Sequence, residues 1–253
     1  MRPSGALLLA LLLLLLPVAI SAVSPEGLVA RITADLQHQH VSNGTGFVWK
    51  APDQILTAYH VVHGSTAIRV LLDGKSYDQV RVLATAPERD LALLLIENRE
   101  VSGDAQYFPG EPLPAAPYDV LNPIVVPGFV WGWSHCDRMV GQLTDGDLVS
   151  SRRIRDPRGR DLFAGEIDLL KVHVGVYGGM SGAPVIQDDV VIGVLSGSLH
   201  EGTAITWAIP IAYTRELVTV DRRPADIVWP AGMPLMKQDR PSVPTGTTTC
   251  RPV

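Results

Sequence analysis

An all-β fold built from two groups of antiparallel strands is what this sequence predicts, on three observations. Short apolar runs rich in Val, Ile and Leu recur along the chain, separated by Gly, Pro and Asp punctuators such as Asp73-Gly74, Pro109-Gly110 and Asp145-Gly146. No regular helical-period segment lies between them, which argues against a parallel sheet with crossover helices. A proline-rich stretch from 109 to 123 falls midway and suits a crossing between two strand groups of similar size, so two barrels are expected.

In chain order, Arg2 precedes an apolar run from Ala6 to Ile20, broken by Pro17 and followed by the small residues Ser21, Ala22 and Ser24. That is the layout of a signal peptide over residues 1–22. A membrane span needs about 20 apolar residues, and this run falls short. The mature protein is therefore expected outside the cytoplasm, secreted or periplasmic, with no membrane association after cleavage. Leu28, Ile32 and Leu36 recur at helical spacing, which predicts a short amphipathic helix from Pro25 to Leu36.

Strands are expected from Thr45 to Trp49, Gln54 to Ala58, Ala67 to Leu72, Gln79 to Thr85 and Leu91 to Ile96 in the first group. In the second they are expected from Pro123 to Val130, Glu166 to Val172, Pro184 to Gln187, Val190 to Leu195 and Ala204 to Ile209. Ile211 to Val218 suits a helix. One folded domain over residues 23–221 follows, its two halves meeting near 109–123, with a proline-rich tail over 222–253 expected to be extended or disordered.

Composition excludes several classes. The chain has 253 residues, 46% of them hydrophobic, enough for a sizeable core. Its net charge of -5 is spread along the chain, so no nucleic-acid surface is expected. One basic cluster, Arg152 to Arg160, is interrupted by Asp156, Pro157 and Gly159 and reads as a solvated loop. With two cysteines, Cys136 and Cys250, a disulfide-dense scaffold is excluded; one bridge and two unpaired thiols both remain compatible with the sequence. Asn43-Gly44-Thr45 forms a glycosylation sequon.

Three segments carry chemistry. Gly178-Gly179-Met180-Ser181-Gly182-Ala183-Pro184 flanks a serine with glycines, which lets the backbone turn tightly and point successive N–H groups into one pocket. Ile55 to Ala58 delivers Tyr59-His60 at the end of an apolar strand, where a general base could be rigidly placed. Glu88-Arg89-Asp90 puts a carboxylate directly before the apolar run Leu91 to Leu94. Taken singly, each reads as an ordinary turn, surface or cap residue. Together they supply nucleophile, base, orienting group and oxyanion donors. Their order along the chain, His then Asp then Ser, is that of chymotrypsin. A zinc peptidase reading fails because Val61, not Glu, follows His60; no metal and no cofactor is expected.

At this point the chain resembles the chymotrypsin-like serine proteases, and is most similar to their HtrA (Deg) branch, over residues 26–218. The resemblance rests on Thr57-Ala58-Tyr59-His60-Val61-Val62, Asp90-Leu91-Ala92-Leu93-Leu94 and Gly179-Met180-Ser181-Gly182-Ala183-Pro184. Secondary matches are Thr45-Gly46-Phe47-Val48, Val126-Pro127-Gly128-Phe129, Leu143 to Ser150 and Ile205 to Ile211. It implies two six-stranded antiparallel β-barrels, with a short N-terminal and a C-terminal helix. It implies a serine endopeptidase acting on polypeptides through His60, Asp90 and Ser181, with Gly179 and Ser181 N–H groups as the oxyanion hole.

The resemblance also places Gly175 at the floor of the primary pocket and Ser196, Gly197 and Ser198 along its wall. No carboxylate falls at that floor, so a small or medium apolar side chain is expected there, with Trp207 and Val176 narrowing the pocket. Met180 stands where trypsin-type enzymes carry an activating Asp, so zymogen activation by ion pairing is not expected. Ala183 replaces the family's usual Gly. The branch often adds a PDZ domain and assembles as trimers; the sequence after the protease segment is too short for a PDZ domain, and the oligomeric state stays open. Two alternatives share these features: a catalytically silent binding module of the same fold, and a serine esterase.

Overall fold

The computed structural model describes residues 25–37, 40–101, 105–110, 119, 122–132, 136–150, 167–198 and 205–229. The signal segment, the basic cluster over 152–160 and residues 230–253 lie outside these.

Seven strands precede the midpoint: β1 (Val29–Leu36), β2 (Val41–Val48), β3 (Gln54–Ala58), β4 (Ser65–Leu72), β5 (Lys75–Tyr77), β6 (Val80–Ala86) and β7 (Leu91–Ile96). Six follow it: β8 (Ile124–Phe129), β9 (Cys136–Ser150), β10 (Asp168–His173), β11 (Pro184–Gln187), β12 (Val190–Ser198) and β13 (Ile205–Pro210). These six close into an antiparallel barrel in the order β10-β13-β12-β11-β8-β9. The last strand, β14 (Val218–Arg222), returns to the first group and pairs antiparallel with β6. The first group is therefore an eight-stranded sheet, β14-β6-β7-β3-β2-β1-β4-β5, a half-barrel that with the closed barrel makes the expected double-barrel fold, with more strands than the six expected.

The opening helix is largely a strand. Only Pro25–Leu28 forms a 3-10 turn, and Val29–Leu36 is β1. Ala30, Ile32 and Ala34 are fully buried while Arg31, Thr33 and Asp35 are not, a period of two set by pairing with β2 on one side and β4 on the other. The expected helix after β13 is a 3-10 segment, Ile211–Glu216. Residues 222–229, assigned to the tail from sequence, are tied to the sheet at a few points: Pro224–Asp226 forms a 3-10 turn with Pro224 buried, and Trp229 donates its indole N–H to the Ser65 carbonyl at 3.2 Å.

Two apolar clusters hold the structure. The interior of the closed barrel is filled by Val126, Val172, Met180, Val185, Leu195 and their neighbours. The larger cluster joins the first sheet, through residues such as Ile32, Phe47, Leu56 and Leu94, to the outer face of the barrel at Leu169, Val194 and Trp207. Each fully buried aliphatic side chain of this kind contributes about 1.5–3 kcal/mol, so the seam is as firmly packed as either half. Tyr59, Val61 and Leu91, the chain neighbours of His60 and Asp90, belong to this larger cluster.

Candidate active site

His60 stands on α1 (Tyr59–Val62), a single helical turn that follows β3 directly. Val61 and Val62 are buried, which turns the His60 ring toward the seam with 15% of its side chain exposed. Asp90 caps the 3-10 turn Pro87–Arg89 in the left-handed conformation, φ 52° and ψ 41°, a region Asp tolerates better than most residues. Its main-chain carbonyl accepts from Tyr59 N–H at 3.0 Å, so the two turns are tied together by backbone before their side chains meet.

Asp90 is nearly saturated. Its Oδ1 accepts the His60 backbone N–H at 2.9 Å, and His60 Nδ1 lies 3.0 Å from Oδ1 and 2.8 Å from Oδ2. Ser196 Oγ donates to Oδ2 at 2.6 Å. These donors satisfy the buried carboxylate, and its hydrogen bond to the ring fixes it so that Nδ1 carries the proton and Nε2 is left as the acceptor. Burial of the ring disfavours its charged form, but the charge of Asp90 and the hydrogen bond to it together outweigh that, leaving the His60 pKa above its ordinary value. Burial, and secondarily the charge of Asp90, push the Tyr59 hydroxyl up to about 12, so it stays neutral.

Ser181 sits in the turn between Val176 and Pro184. Its Oγ donates to the Ser196 carbonyl at 3.2 Å rather than to His60. Ser196 therefore touches two members of the constellation, with its hydroxyl on Asp90 and its carbonyl on Ser181. A register shift between β12 and β13 at Leu195/Gly197 makes this possible, since a bulged residue turns out of the ladder.

The backbone of this turn is held from behind. Thr45, fully buried on β2, donates its N–H to the Ser181 carbonyl and its hydroxyl to the Gly179 carbonyl, each at 2.8 Å; the same hydroxyl accepts Phe129 N–H at 3.0 Å. The Gly178 carbonyl is held by the N–H of Trp131. In a trans peptide C=O and N–H point in opposite directions, so anchoring the Gly178 carbonyl aims the Gly179 N–H the other way. Neither Gly179 nor Ser181 donates its N–H to an acceptor among the described residues. Trp131 holds its place in the left-handed region, φ 56° and ψ 18°, and its ring lies 6.5 Å from that of Tyr177.

Glycine is required at two of these positions. Gly182 has φ +88°, and a Cβ there would stand 2.1 Å from the Thr45 carbonyl oxygen and 2.3 Å from Thr57 Oγ1. A Cβ on Gly44 would meet Val61 at 2.4 Å, so this glycine lets β2 approach α1 closely. Met180 is fully buried in the barrel core against Gly128, an apolar anchor in place of an ion pair. Ala183 fits beside it, also fully buried.

Of the residues assigned to a specificity pocket, Gly175 has open space where a Cβ would point, and Gly197 and Ser198 are half-buried at the end of β12. Trp207, expected to narrow that pocket, packs its indole against Gly197 and belongs to the seam cluster. Alternation along β13 puts Ala208 on the opposite face, where it shares the barrel interior with Leu195 and Val176. The sequon is poorly presented, since Thr45 is buried with its hydroxyl engaged. Cys136 is disulfide-bonded; Cys250 lies outside the described residues.

Sequence reasoning missed two contributors, Thr45 as the anchor of the glycine-rich turn and the Ser196 hydroxyl as the partner of Asp90. Neither has a local signal, because each contact joins elements far apart in the chain.

Residues 44–194 match the trypsin-like peptidase domain family. The mitochondrial serine protease HTRA2 of Bos taurus is 30% identical over 180 residues, covering 70% of this chain and 36% of its own length. A probable periplasmic serine endoprotease, DegP-like, of Bartonella henselae is 26% identical over 192 residues, covering 72% of this chain and 35% of its own. The chain thus spans about a third of the length of these relatives. Among solved structures, the active form of the Rv3671c protease from M. tuberculosis superposes with a TM-score of 0.61 at 22% identity, covering 89% of this chain and 86% of that one. The HtrA-type protease AlgW with a tripeptide gives 0.60 at 20%, covering 78% and 60%. At these identities the structural likeness speaks for the fold alone.

Proposed function

Because the chain belongs to the trypsin-like peptidase domain family, with HtrA and Do-like proteases among its relatives, we propose that it is a serine endopeptidase whose triad is His60, Asp90 and Ser181. The observation that carries this reading is the hydrogen-bond chain Ser196–Asp90–His60 beside a serine in a turn with two unengaged N–H groups.

Rotation about the Cα–Cβ bond of Ser181 takes its hydroxyl from the Ser196 carbonyl to Nε2 of His60. His60 accepts the proton as Oγ attacks a peptide carbonyl, and the new negative charge on the carbonyl oxygen is received by the N–H groups of Gly179 and Ser181. His60 then donates its proton to the leaving amine, and water, deprotonated by the same ring, releases the acyl group. Asp90 remains ionised and stabilises the imidazolium. Gly175 and the stretch Ser196, Gly197 and Ser198 receive the substrate, whose backbone pairs with β12, with a preference for a small or medium apolar side chain. Residues 1–22 direct export, and the mature enzyme acts on polypeptides in an extracytoplasmic compartment.

The test is labelling of the purified protein with a fluorophosphonate probe, beside a Ser181→Ala control and a casein digestion assay. Labelling abolished in the control together with casein cleavage supports the endopeptidase. Labelling without cleavage of any polypeptide, but with turnover of simple esters, favours an esterase; no labelling of folded protein overturns the reading.

A further inference from the structure

α1 is one turn long. His63 N–H donates to the Tyr59 carbonyl at 2.9 Å across the turn, and a helix so short has no stability of its own. The direction of the His60 ring therefore depends on what packs around the turn. Val61 and Val62 are fixed in the core, and Tyr59 and His63, four residues apart, share one face of the turn. That face is covered by Trp229. Its indole ring lies 5.9 Å from the Tyr59 ring and 5.6 Å from the His63 ring, and its N–H is anchored on the Ser65 carbonyl just beyond the turn.

Trp229 arrives there at the end of an arm that also touches the Asp90 side of the pair. Glu216 takes the Arg89 guanidinium at 2.7 Å, and the same guanidinium lies 4.6 Å over the Tyr213 ring. Arg89 is the residue before Asp90. From Tyr213 the arm continues through β14, paired with β6, and through the 3-10 turn Pro224–Asp226, which packs against β4 and β6, before it reaches Trp229. One segment thus contacts the flanks of both His60 and Asp90 without touching either side chain.

We propose that Trp229 is a positioning residue for the proposed hydrolysis: by packing tilted against Tyr59 and edge-on against His63 it sets the angle at which α1 presents His60 to Asp90 and Ser181. The inference rests on the protease reading. Its consequence is that loss of the indole leaves substrate binding intact and slows the chemical step, because misplacement of a base by about 1 Å is enough to cost on the order of 100-fold.

The experiment compares the full chain with Trp229→Ala, Trp229→Phe and, as a control, Val228→Ala, whose side chain is 96% exposed. Three readouts are followed: the rate of fluorophosphonate labelling, the split between kcat and KM on a peptide, and the low-field proton resonance of His60 Nδ1–H. Trp229→Ala is expected to slow labelling and kcat by roughly 10- to 100-fold with little change in KM, and to broaden or lose the resonance. Trp229→Phe should recover most of all three, and Val228→Ala should behave as the parent. If Trp229→Ala does not fold, Trp229→Leu, which keeps an apolar contact but no ring, carries the same expectation. A folded Ala or Leu variant with parental labelling and an unchanged resonance overturns the proposal, as does a Phe variant no better than Ala. If the parent chain itself is never labelled, the protease reading has failed, while the resonance still reports whether Trp229 holds the His60–Asp90 pair.

Discussion

Ser196 donates its hydroxyl to Asp90 Oδ2 at 2.6 Å, and both groups are buried. The bond supplies a donor to a carboxylate that would otherwise face the interior with one oxygen served by His60 alone. Ser196→Ala removes it without adding bulk. Leaving a buried charged acceptor short of a donor costs about 1–3 kcal/mol or somewhat more, so the variant should unfold at lower urea and be labelled roughly tenfold more slowly. Urea titration and probe kinetics on one preparation check both; an unchanged labelling rate would show that His60 alone keeps Asp90 in place.

The pH dependence has a definite sign. Burial lowers the His60 pKa, Asp90 raises it by more, and the net position is above the ordinary value of about 6.5. Labelling needs the neutral ring, so its acid limb should rise at a pH above about 6.5. The stabilising contribution of this group runs the other way: it is fully present below the unfolded value and is lost as pH rises through the folded one. Asp90→Asn removes the cause of the rise, so the acid limb should move down, while the rate falls by about 10⁴-fold through the wrong tautomer. An acid limb that stays in place in Asp90→Asn would mean that another group sets it.

Trp131 permits a test in which glycine should outperform alanine. A non-glycine residue in the left-handed region costs about 1–2 kcal/mol, and here its ring contact with Tyr177 offsets part of that. Trp131→Ala keeps the backbone cost and loses the ring, which loosens the hold on the Gly178 carbonyl and lets the Gly179 N–H turn away from the proposed oxyanion position. A drop in kcat of order 10²-fold is expected, with KM little changed. Trp131→Gly adopts the same backbone freely and should retain more of the activity. Steady-state kinetics on one peptide substrate would decide it, and equal losses in both variants would dissociate Trp131 from the oxyanion hole.

Thr45→Val keeps the shape of a fully buried side chain and deletes its hydroxyl. The Gly179 carbonyl and the Phe129 N–H both lose their partner, at about 1–3 kcal/mol for each buried group. The variant should therefore melt several degrees lower and show reduced kcat, because the glycine-rich turn hangs from this residue. Calorimetry beside peptide turnover separates the two effects. Parental values in both would assign the turn's geometry to the Trp131 contact alone.

The sequence was legible where one physical signal dominated. The bounds of Gln54–Ala58, Leu91–Ile96 and Pro184–Gln187 were read without error, because each is a short apolar run between clear breakers and is buried along most of its length. His60, Asp90 and Ser181 were singled out from their sequence neighbourhoods; His60 is hydrogen-bonded to Asp90, while Ser181 is joined to them only through Ser196. β1 was misread because Leu28, Ile32 and Leu36 fit a helical period as well as Ala30, Ile32 and Ala34 fit a strand; pairing with β2 and β4 decided between them. β9 was missed because Cys136–Ser150 has little apolar alternation and contains Asp145-Gly146, which reads as a turn. The role of Ser196 depended on a bulge, and that of Trp207 on which face of β13 is the barrel interior. Neither is encoded locally.

The return of β14 to the first sheet has a bearing on how the molecule is made. The strand that pairs with β6 is synthesised long after it, so β6 stays the edge strand of this sheet until the second barrel has also been made. Folding dominated by such distant pairings is slow. The edge of the sheet beside the His60–Asp90 pair is therefore covered only once β14 has been made, after the whole of the second barrel.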